Sequence, residues 1–237
     1  MSKKLPKFEM PRQDEAGDPV ARKRSPSEQA YRGILKAIYE GRFVPGQRLI
    51  APDLMEELGV GRGTIREVLN RLAASGIIDL VQNRGAQVRR MTRKEVLELL
   101  DIVELMLGLA ARGAASNIGQ GEARDELLAY DRRLRSVTAD ATLPSFVEAR
   151  EAYYRAIVRL SRNEELRRLF PGAQVHIMRL QLRPFQQAGD SANLEDFTNL
   201  TKAILAGDPT KAETEGRRHV ILTRDRVRDL PEAAFRK

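Results

Sequence analysis

Between residues 25 and 92 the spacing of apolar positions changes from helical to alternating. Tyr31, Ile34, Leu35 and Ile38 recur at three- and four-residue intervals and stop at Gly41, which predicts one buried face of a helix. The stretch SPSE at 25–28 predicts its start, with Ser25 as N-cap, Pro26 at the first helical position and Glu28 completing a capping box. GRFVPGQRL at 41–49 reads as a turn-rich link. A second helix begins at Pro52, runs through DLMEEL and stops at Gly59. A third runs from about Arg62 to Ser75, with Gly76 ending it. Ile65, Val68, Leu69 and Leu72 form its apolar stripe, and Arg62, Arg66 and Asn70 fall on the opposite side. Segments 77–81 and 86–89, joined through 82–85, then predict a β-hairpin.

From residue 92 onward only helical periodicity remains. TRKE at 92–95 is a second capping box, and the apolar residues of VLELLDIVELMLGLAARGAA after it leave almost no polar face, which predicts deep burial. Further helical segments lie at 121–138, 144–161, 163–187, 194–206 and 209–229. Pro171 is expected to kink or divide the segment at 163–187, and Asp208-Pro209 opens the last one as N-cap and first helical residue. The fold class that follows is mainly α: an N-terminal winged helix-turn-helix of three helices plus a β-hairpin, then an all-α bundle of six or seven helices. The expected domains are a flexible basic arm at 1–24, the winged unit at 25–90, the helical unit at 91–230 and a C-terminal tail at 231–237.

Charge sharpens this division. The 237 residues carry a net charge of +8, but residues 1–90 hold 17 Lys/Arg against 11 Asp/Glu and the remainder 24 against 22. A basic winged unit joined to a near-neutral bundle implies an anionic partner for the former, and the arginine stripe of the third helix fits a DNA groove. With no cysteine, disulfides, cysteine–zinc sites and thiol nucleophiles are excluded, and the composition suits the cytoplasm. The N-terminus lacks the apolar core of a secretory signal, and no apolar run is long enough for a membrane span.

The stretch PGQRLIAPDLMEELGVGRGTIREVLNRLAASGIIDLVQNRGAQV resembles the DNA-binding domain of the GntR family of bacterial transcription regulators. The matching elements are PGxRL at 45–49, LxxELGVxRxTIREVLxRL at 54–72, the SGII helix exit and NRGAxV in the hairpin. The helical remainder resembles the FadR-type C-terminal domain of that family, called FCD, through LAARGAA, FVEAREAYYRAIVRLSRNEEL and AILAGDPTKAETEGRRHVILTRDRV. The resemblance implies a recognition helix in the major groove and a wing near the minor groove. It places Arg62, Gly63, Thr64 and Arg66 at base edges or phosphates, Arg48 at phosphate, and Arg84 and Gly85 at the wing tip. It also implies a homodimer on a pseudo-palindromic double-stranded operator and a small-molecule effector.

Departures from the family pattern carry information too. Ala51 and Pro52 stand where an acidic residue and a DNA-contacting arginine are common, and Gly61 and Gly63 replace hydroxyl residues. Many FCD domains hold a divalent metal with one Asp and three His. Those positions here are Arg150, Tyr154, Phe197 and His219, so no metal and no cofactor is expected. The family's arginine in the first bundle helix is replaced by Glu104, and an acidic residue one turn on by Gly108. This suggests a charge swap in which Glu104 pairs with Arg150, while Arg150, Tyr154 and His219 offer donors to an anionic, carboxylate-type effector. Arg179 and Arg183 are further basic candidates for that site.

Three function classes compete on this reading. The first is a ligand-responsive transcription regulator. The second is a constitutive DNA-binding protein whose C-terminal domain only dimerises. The third, an enzyme, lacks support: His176 and His219 are the only histidines, and there is no phosphate loop, nucleophile elbow or paired-histidine metal motif.

Overall fold

A computed structural model of the chain describes residues 25–81, 85–140, 143–185 and 194–236. The expected arm at 1–24 and the hairpin tip at 82–84 lie outside the described residues. The chain divides into two compact units, one ending at Arg90 but also taking in His176–Gln181, the other formed by Met91–Val175 and Leu182–Lys237.

Unit 1 contains α1 (Pro26–Tyr39), β1 (Arg48–Leu49), α2 (Ala51–Leu58), α3 (Arg62–Ala74), β2 (Ile78–Val81) and β3 (Gly85–Val88). Ser25 caps α1 by accepting the Glu28 N–H at 3.2 Å. The reciprocal half of the expected capping box is replaced: the Glu28 carboxylate accepts from Arg32 at 2.7 Å and Arg71 at 3.0 Å. Two arginines outcompete one backbone N–H because a charged pair makes the stronger hydrogen bond. In α2, Ala51 precedes Pro52, so the proline sits one position further in than expected. Gly59 ends the helix at φ 63°, a left-handed conformation that glycine adopts without strain.

The sheet has three strands in the order β1-β3-β2, both pairs antiparallel. The link at 41–49 therefore does more than turn. Gly46, at φ 84°, donates its N–H to Val88 O at 2.8 Å, which brings Arg48 opposite Gln87 and Leu49 opposite Ala86. Ile34, Ile38, Leu49, Leu54, Ile65, Val68, Leu72, Ile77, Ile78 and Val88 are buried together as the core of this unit.

Unit 2 is helical: α4 (Arg93–Asn117), α5 (Ala123–Asp140), α6 (Leu143–Leu160), α7 (Glu164–Leu169), α8 (Gly172–Leu182, of which His176–Gln181 groups with unit 1), α9 (Leu194–Leu205) and α10 (Pro209–Arg228). Pro171 divides α7 from α8, and Asp208 caps α10 by accepting the Lys211 N–H at 3.0 Å. At the start of α4 the capping box forms in full: the Glu95 N–H reaches Thr92 Oγ1 at 3.2 Å, and the Thr92 N–H reaches Glu95 Oε2 at 2.7 Å. The first and last bundle helices, α4 and α10, pack most extensively. Their backbones approach so closely that a Cβ on Gly216 would meet Leu107 O at 3.0 Å and the Cα of Gly108 at 3.2 Å.

Deep burial of α4 holds on one side only. Val96, Leu100, Val103, Leu107, Ala110, Ala111 and Ala114 face inward, whereas Ile102, Leu105 and Leu109 are exposed. At the other end of the unit, Arg93 donates to the carbonyls of Val227, Arg228 and Leu230 at 3.1, 2.9 and 2.6 Å. Its guanidinium also lies 4.3 Å from the centroid of the buried Phe235 ring. The 3-10 turn Glu232–Ala234 precedes that ring, and the Arg236 N–H bonds Met91 O at 2.9 Å.

Candidate functional site

The polar face of α3 is built by what the opposite face buries. Ile65, Val68 and Leu72 fix the helix against the core, which leaves Arg62, Gly63 and Arg66 exposed and Thr64 half-buried. Gly61 sits at the N-cap without a side-chain hydrogen bond, so no N-cap side chain occupies the first-turn N–H groups of α3. A Cβ at Gly61 or Gly63 would meet nothing within 4 Å, so internal packing does not demand glycine at either position. Their effect is to leave the backbone open to close approach from outside.

Neighbouring cations divide into two groups. Arg71 is committed to the unit itself, bonded to Glu28 and lying 4.5 Å from the centroid of the Tyr31 ring. Arg42 pairs with Glu40 at 2.9 Å and Glu57 at 3.4 Å. By contrast, Arg48, Arg62 and Arg66 engage in no ion pair among the described residues. Arg48 belongs to β1, beside the wing strand, where it was expected to precede α2 as part of a link. Gly85 opens β3 at φ 82°, a conformation that requires glycine for its backbone, and Arg84 falls outside the described residues. The arrangement offers free guanidinium groups, uncapped N–H donors and an accessible backbone. All three suit an anionic phosphate-bearing surface.

In unit 2, three of the expected effector residues come together. Tyr154 of α6 and His219 of α10 share a hydrogen bond of 2.5 Å between the phenol and Nε2. Phe197 of α9 lies with its ring 4.7 Å from that of His219 and 5.9 Å from that of Tyr154. Arg150, one turn before Tyr154 on α6, is half-buried with its Nε away from solvent. The donor set does not fit a divalent cation. His219 is the one nitrogen ligand among the four family positions, its Nε2 is engaged by Tyr154, and Arg150 brings positive charge where the family has a carboxylate.

The expected Glu104–Arg150 pairing gives way to a different one. Glu104 bonds Arg224 of α10 at 2.7 Å, and the same guanidinium holds Asp101 at 2.8 Å. The reason is helix packing: α10 lies along α4, so Arg224 reaches two α4 carboxylates on successive turns. Those hydrogen bonds, with Asp101 first, raise the Arg224 pKa further. Arg179 belongs to the 176–181 stretch that groups with unit 1, and the ring cluster is built without it. Arg183 is exposed, in the 3-10 turn after α8.

Sequence reasoning missed a buried polar relay beside these rings. Arg135 holds both oxygens of Asp131, at 2.6 and 2.9 Å, and donates to Thr198 at 2.9 Å. Thr201 donates to Asp131 at 2.8 Å, which leaves its oxygen to accept from the Tyr153 phenol, also at 2.8 Å. Burial pushes the Tyr153 pKa far up, so the phenol stays a neutral donor. The relay ties α9 to α5 and α6, and Tyr153 meets the Phe197 ring edge-on at 5.5 Å. The Asp131/Arg135 spacing of four was a readable signal; the threonines and Tyr153 were not.

Comparison with known proteins agrees with both halves. A family model described as bacterial regulatory proteins, gntR family, matches residues 26–88, and the FCD domain model matches residues 98–221. The chain is 25% identical over 187 residues to a probable D-xylose utilization operon transcriptional repressor of Paenarthrobacter nicotinovorans, covering 79% of this chain and 82% of that one. It is 30% identical over 149 residues to a fatty acid metabolism regulator protein of Vibrio cholerae, covering 58% of this chain and 50% of that one. Among solved structures, Escherichia coli McbR/YncC superposes with a TM-score of 0.73 at 18% identity, over 86% of this chain and 98% of that one. No described helix is long and apolar enough to cross a membrane.

Proposed function

From the premise that the chain belongs to the gntR family of bacterial regulatory proteins and carries an FCD domain, which makes it a DNA-binding transcriptional regulator, we propose that a small anionic metabolite in unit 2 sets its affinity for DNA. It acts in the cytoplasm as a homodimer whose two winged units read the half-sites of a pseudo-palindrome. Arg62, Gly63, Thr64 and Arg66 meet base edges or phosphates, Arg48 a phosphate, and Arg84–Gly85 the minor groove. The observation that carries the effector reading is the half-buried Arg150 guanidinium one helical turn from the Tyr154–His219 pair. Arg150 and Tyr154 are four apart and so share a face of α6, which on this reading adds a cation to the hydrogen-bonding end of the aromatic cluster, and a carboxylate matches a guanidinium bidentately. No metal bridge is needed. A ligand shifts DNA affinity only through its different affinity for the DNA-competent and incompetent states.

One observation favours a second reading, in which unit 2 only dimerises. The Tyr154 phenol and His219 Nε2 already pair with each other while Phe197 packs against both rings, which is how a closed structural cluster would look. Thermal-shift titration separates the two, using carboxylates from sugar and fatty-acid metabolism, the areas named in the relatives, with zinc and manganese alongside. The effector reading expects stabilisation by a carboxylate that is lost in Arg150→Ala, no metal effect, and ligand-dependent change in DNA binding. A stabilising metal lost in His219→Ala would refute it. So would DNA binding indifferent to every stabilising carboxylate.

A further inference from the structure

Ile102, Leu105 and Leu109 are 55%, 54% and 46% exposed, and they follow one another at spacings of three and four along α4. The same stripe continues to Glu98 on one side and Arg112 on the other, whose side chains are 61% and 62% exposed. Positions 98, 102, 105, 109 and 112 are thus a seam of alternating four- and three-residue steps, the pattern by which one helix lies along another. Seven large apolar side chains are exposed among the described residues, and three of them stand in this seam; the other four, Val44, Ile50, Leu80 and Leu169, lie elsewhere. The other exposed positions of α4 are charged or polar (Lys94, Glu98, Asp101, Arg112 and Ser116), and a contiguous apolar strip among them marks a surface that meets a partner.

The charges identify that partner. The seam is acidic at its N-terminal end and basic at its C-terminal end, with the apolar residues between. Such a strip is complementary to itself when reversed. A two-fold axis near Leu105 sets Ile102 against Leu109 of a second copy and Glu98 against its Arg112, twice over. A parallel pairing would instead set Glu98 against Glu98 and Arg112 against Arg112. Among the described residues of one chain, the Glu98–Lys94 distance is 3.7 Å and the Arg112–Glu213 distance 3.6 Å, so both are loosely held. We propose that the outer face of α4 is the homodimer seam, packed antiparallel on its own copy with Leu105 at the axis and Glu98–Arg112 pairs at both ends. This rests on the homodimer reading above and adds the face and the orientation.

Sedimentation equilibrium of the full chain tests it, with far-UV circular dichroism to confirm that each variant is folded. Leu105→Glu should weaken the dimer about a hundredfold, because two carboxylates meet at the axis. Glu98→Arg and Arg112→Glu should each weaken it about tenfold, and the Glu98→Arg/Arg112→Glu double variant should return to within a few-fold of wild type. If Leu105→Glu fails to fold, the surface-charge variants decide alone. A wild-type dimer that ignores these changes, or a double variant no better than either single one, overturns the seam and leaves the homodimer reading standing. A monomeric wild type at micromolar concentration overturns both.

Discussion

Arg66 and Arg71 lie on the same helix five residues apart, yet the structure gives them opposite duties, and replacing each by alanine separates recognition from stability. Arg66 is exposed and has no ion pair among the described residues, so Arg66→Ala should leave the thermal midpoint unchanged. If Arg66 reads a guanine edge, its loss costs about 1–3 kcal/mol of specific binding, or about 5- to 150-fold in Kd. Arg71 instead bonds Glu28 and stacks on Tyr31, joining α3 to α1. With its side chain 42% exposed, screening limits the pair, and together with the ring contact the loss is about 0.5–1.5 kcal/mol of stability. That corresponds to roughly 2–12 °C for a domain of this size. The assay is fluorescence anisotropy on a duplex selected by the wild-type chain from a random pool, against a scrambled duplex, at several salt concentrations. Arg66→Ala should lose the specific duplex selectively, and Arg71→Ala should bind both as wild type does once folded. Wild-type operator affinity in the Arg62→Ala/Arg66→Ala double variant would refute the assignment of α3 to the major groove.

Arg48→Ala should weaken specific and scrambled duplexes alike and reduce the salt slope by roughly one, the signature of a single phosphate contact. Gly63→Ala should stabilise α3 by up to about 1 kcal/mol, since the added Cβ meets nothing, while lowering DNA affinity; a gain in both would show that no close approach occurs there. Asp131→Asn should cost about 1–3 kcal/mol by urea denaturation and Tyr153→Phe about 1 kcal/mol, because the carboxylate serves Arg135 and Thr201 together while the phenol serves mainly one oxygen. Arg32 and Arg71 hold the Glu28 carboxyl below its usual range, so its contribution is complete above the ordinary glutamate pKa and is lost as pH falls through the lowered one. Glu28→Gln should flatten the acid limb of the stability–pH profile by about 0.5 kcal/mol, and an unchanged limb would show the pair to be idle.

What could be read from the sequence followed from short-range rules. Helix starts at Ser25, Thr92 and Asp208 were legible because an N-cap acts on N–H groups two or three residues away, and the α3 stripe because its period is local. The two-residue strand β1 was not, since Arg48 and Leu49 are strand only through hydrogen bonds to residues some forty positions later. The same limit explains Glu104. Its partner was sought at the family's pocket position, Arg150, while the close α4–α10 packing brought up Arg224. Arg179 went astray for a similar reason, because helical periodicity does not say which unit a stretch of helix joins. The buried relay was invisible as a whole. Thr198, Thr201 and Tyr153 are ordinary residues until three helices converge on one carboxylate.

The close pairing of α4 with α10 also dictates an order of events as the chain is made. Residues 93–117 leave the ribosome long before residues 209–228 exist, so the inward face of α4 has to wait for its principal neighbour. During that interval Val96, Leu100, Val103 and Leu107 lack the helix that covers them, whereas unit 1 has nearly all its own residues in hand and can close early. The wait extends to the end of α10 and just past it, because Arg93 completes these hydrogen bonds only with the carbonyls of Val227, Arg228 and Leu230. A premature stop within α10 would therefore release a chain with a folded winged unit and an open bundle. Its fate would be decided by proteolysis and aggregation before any operator was met.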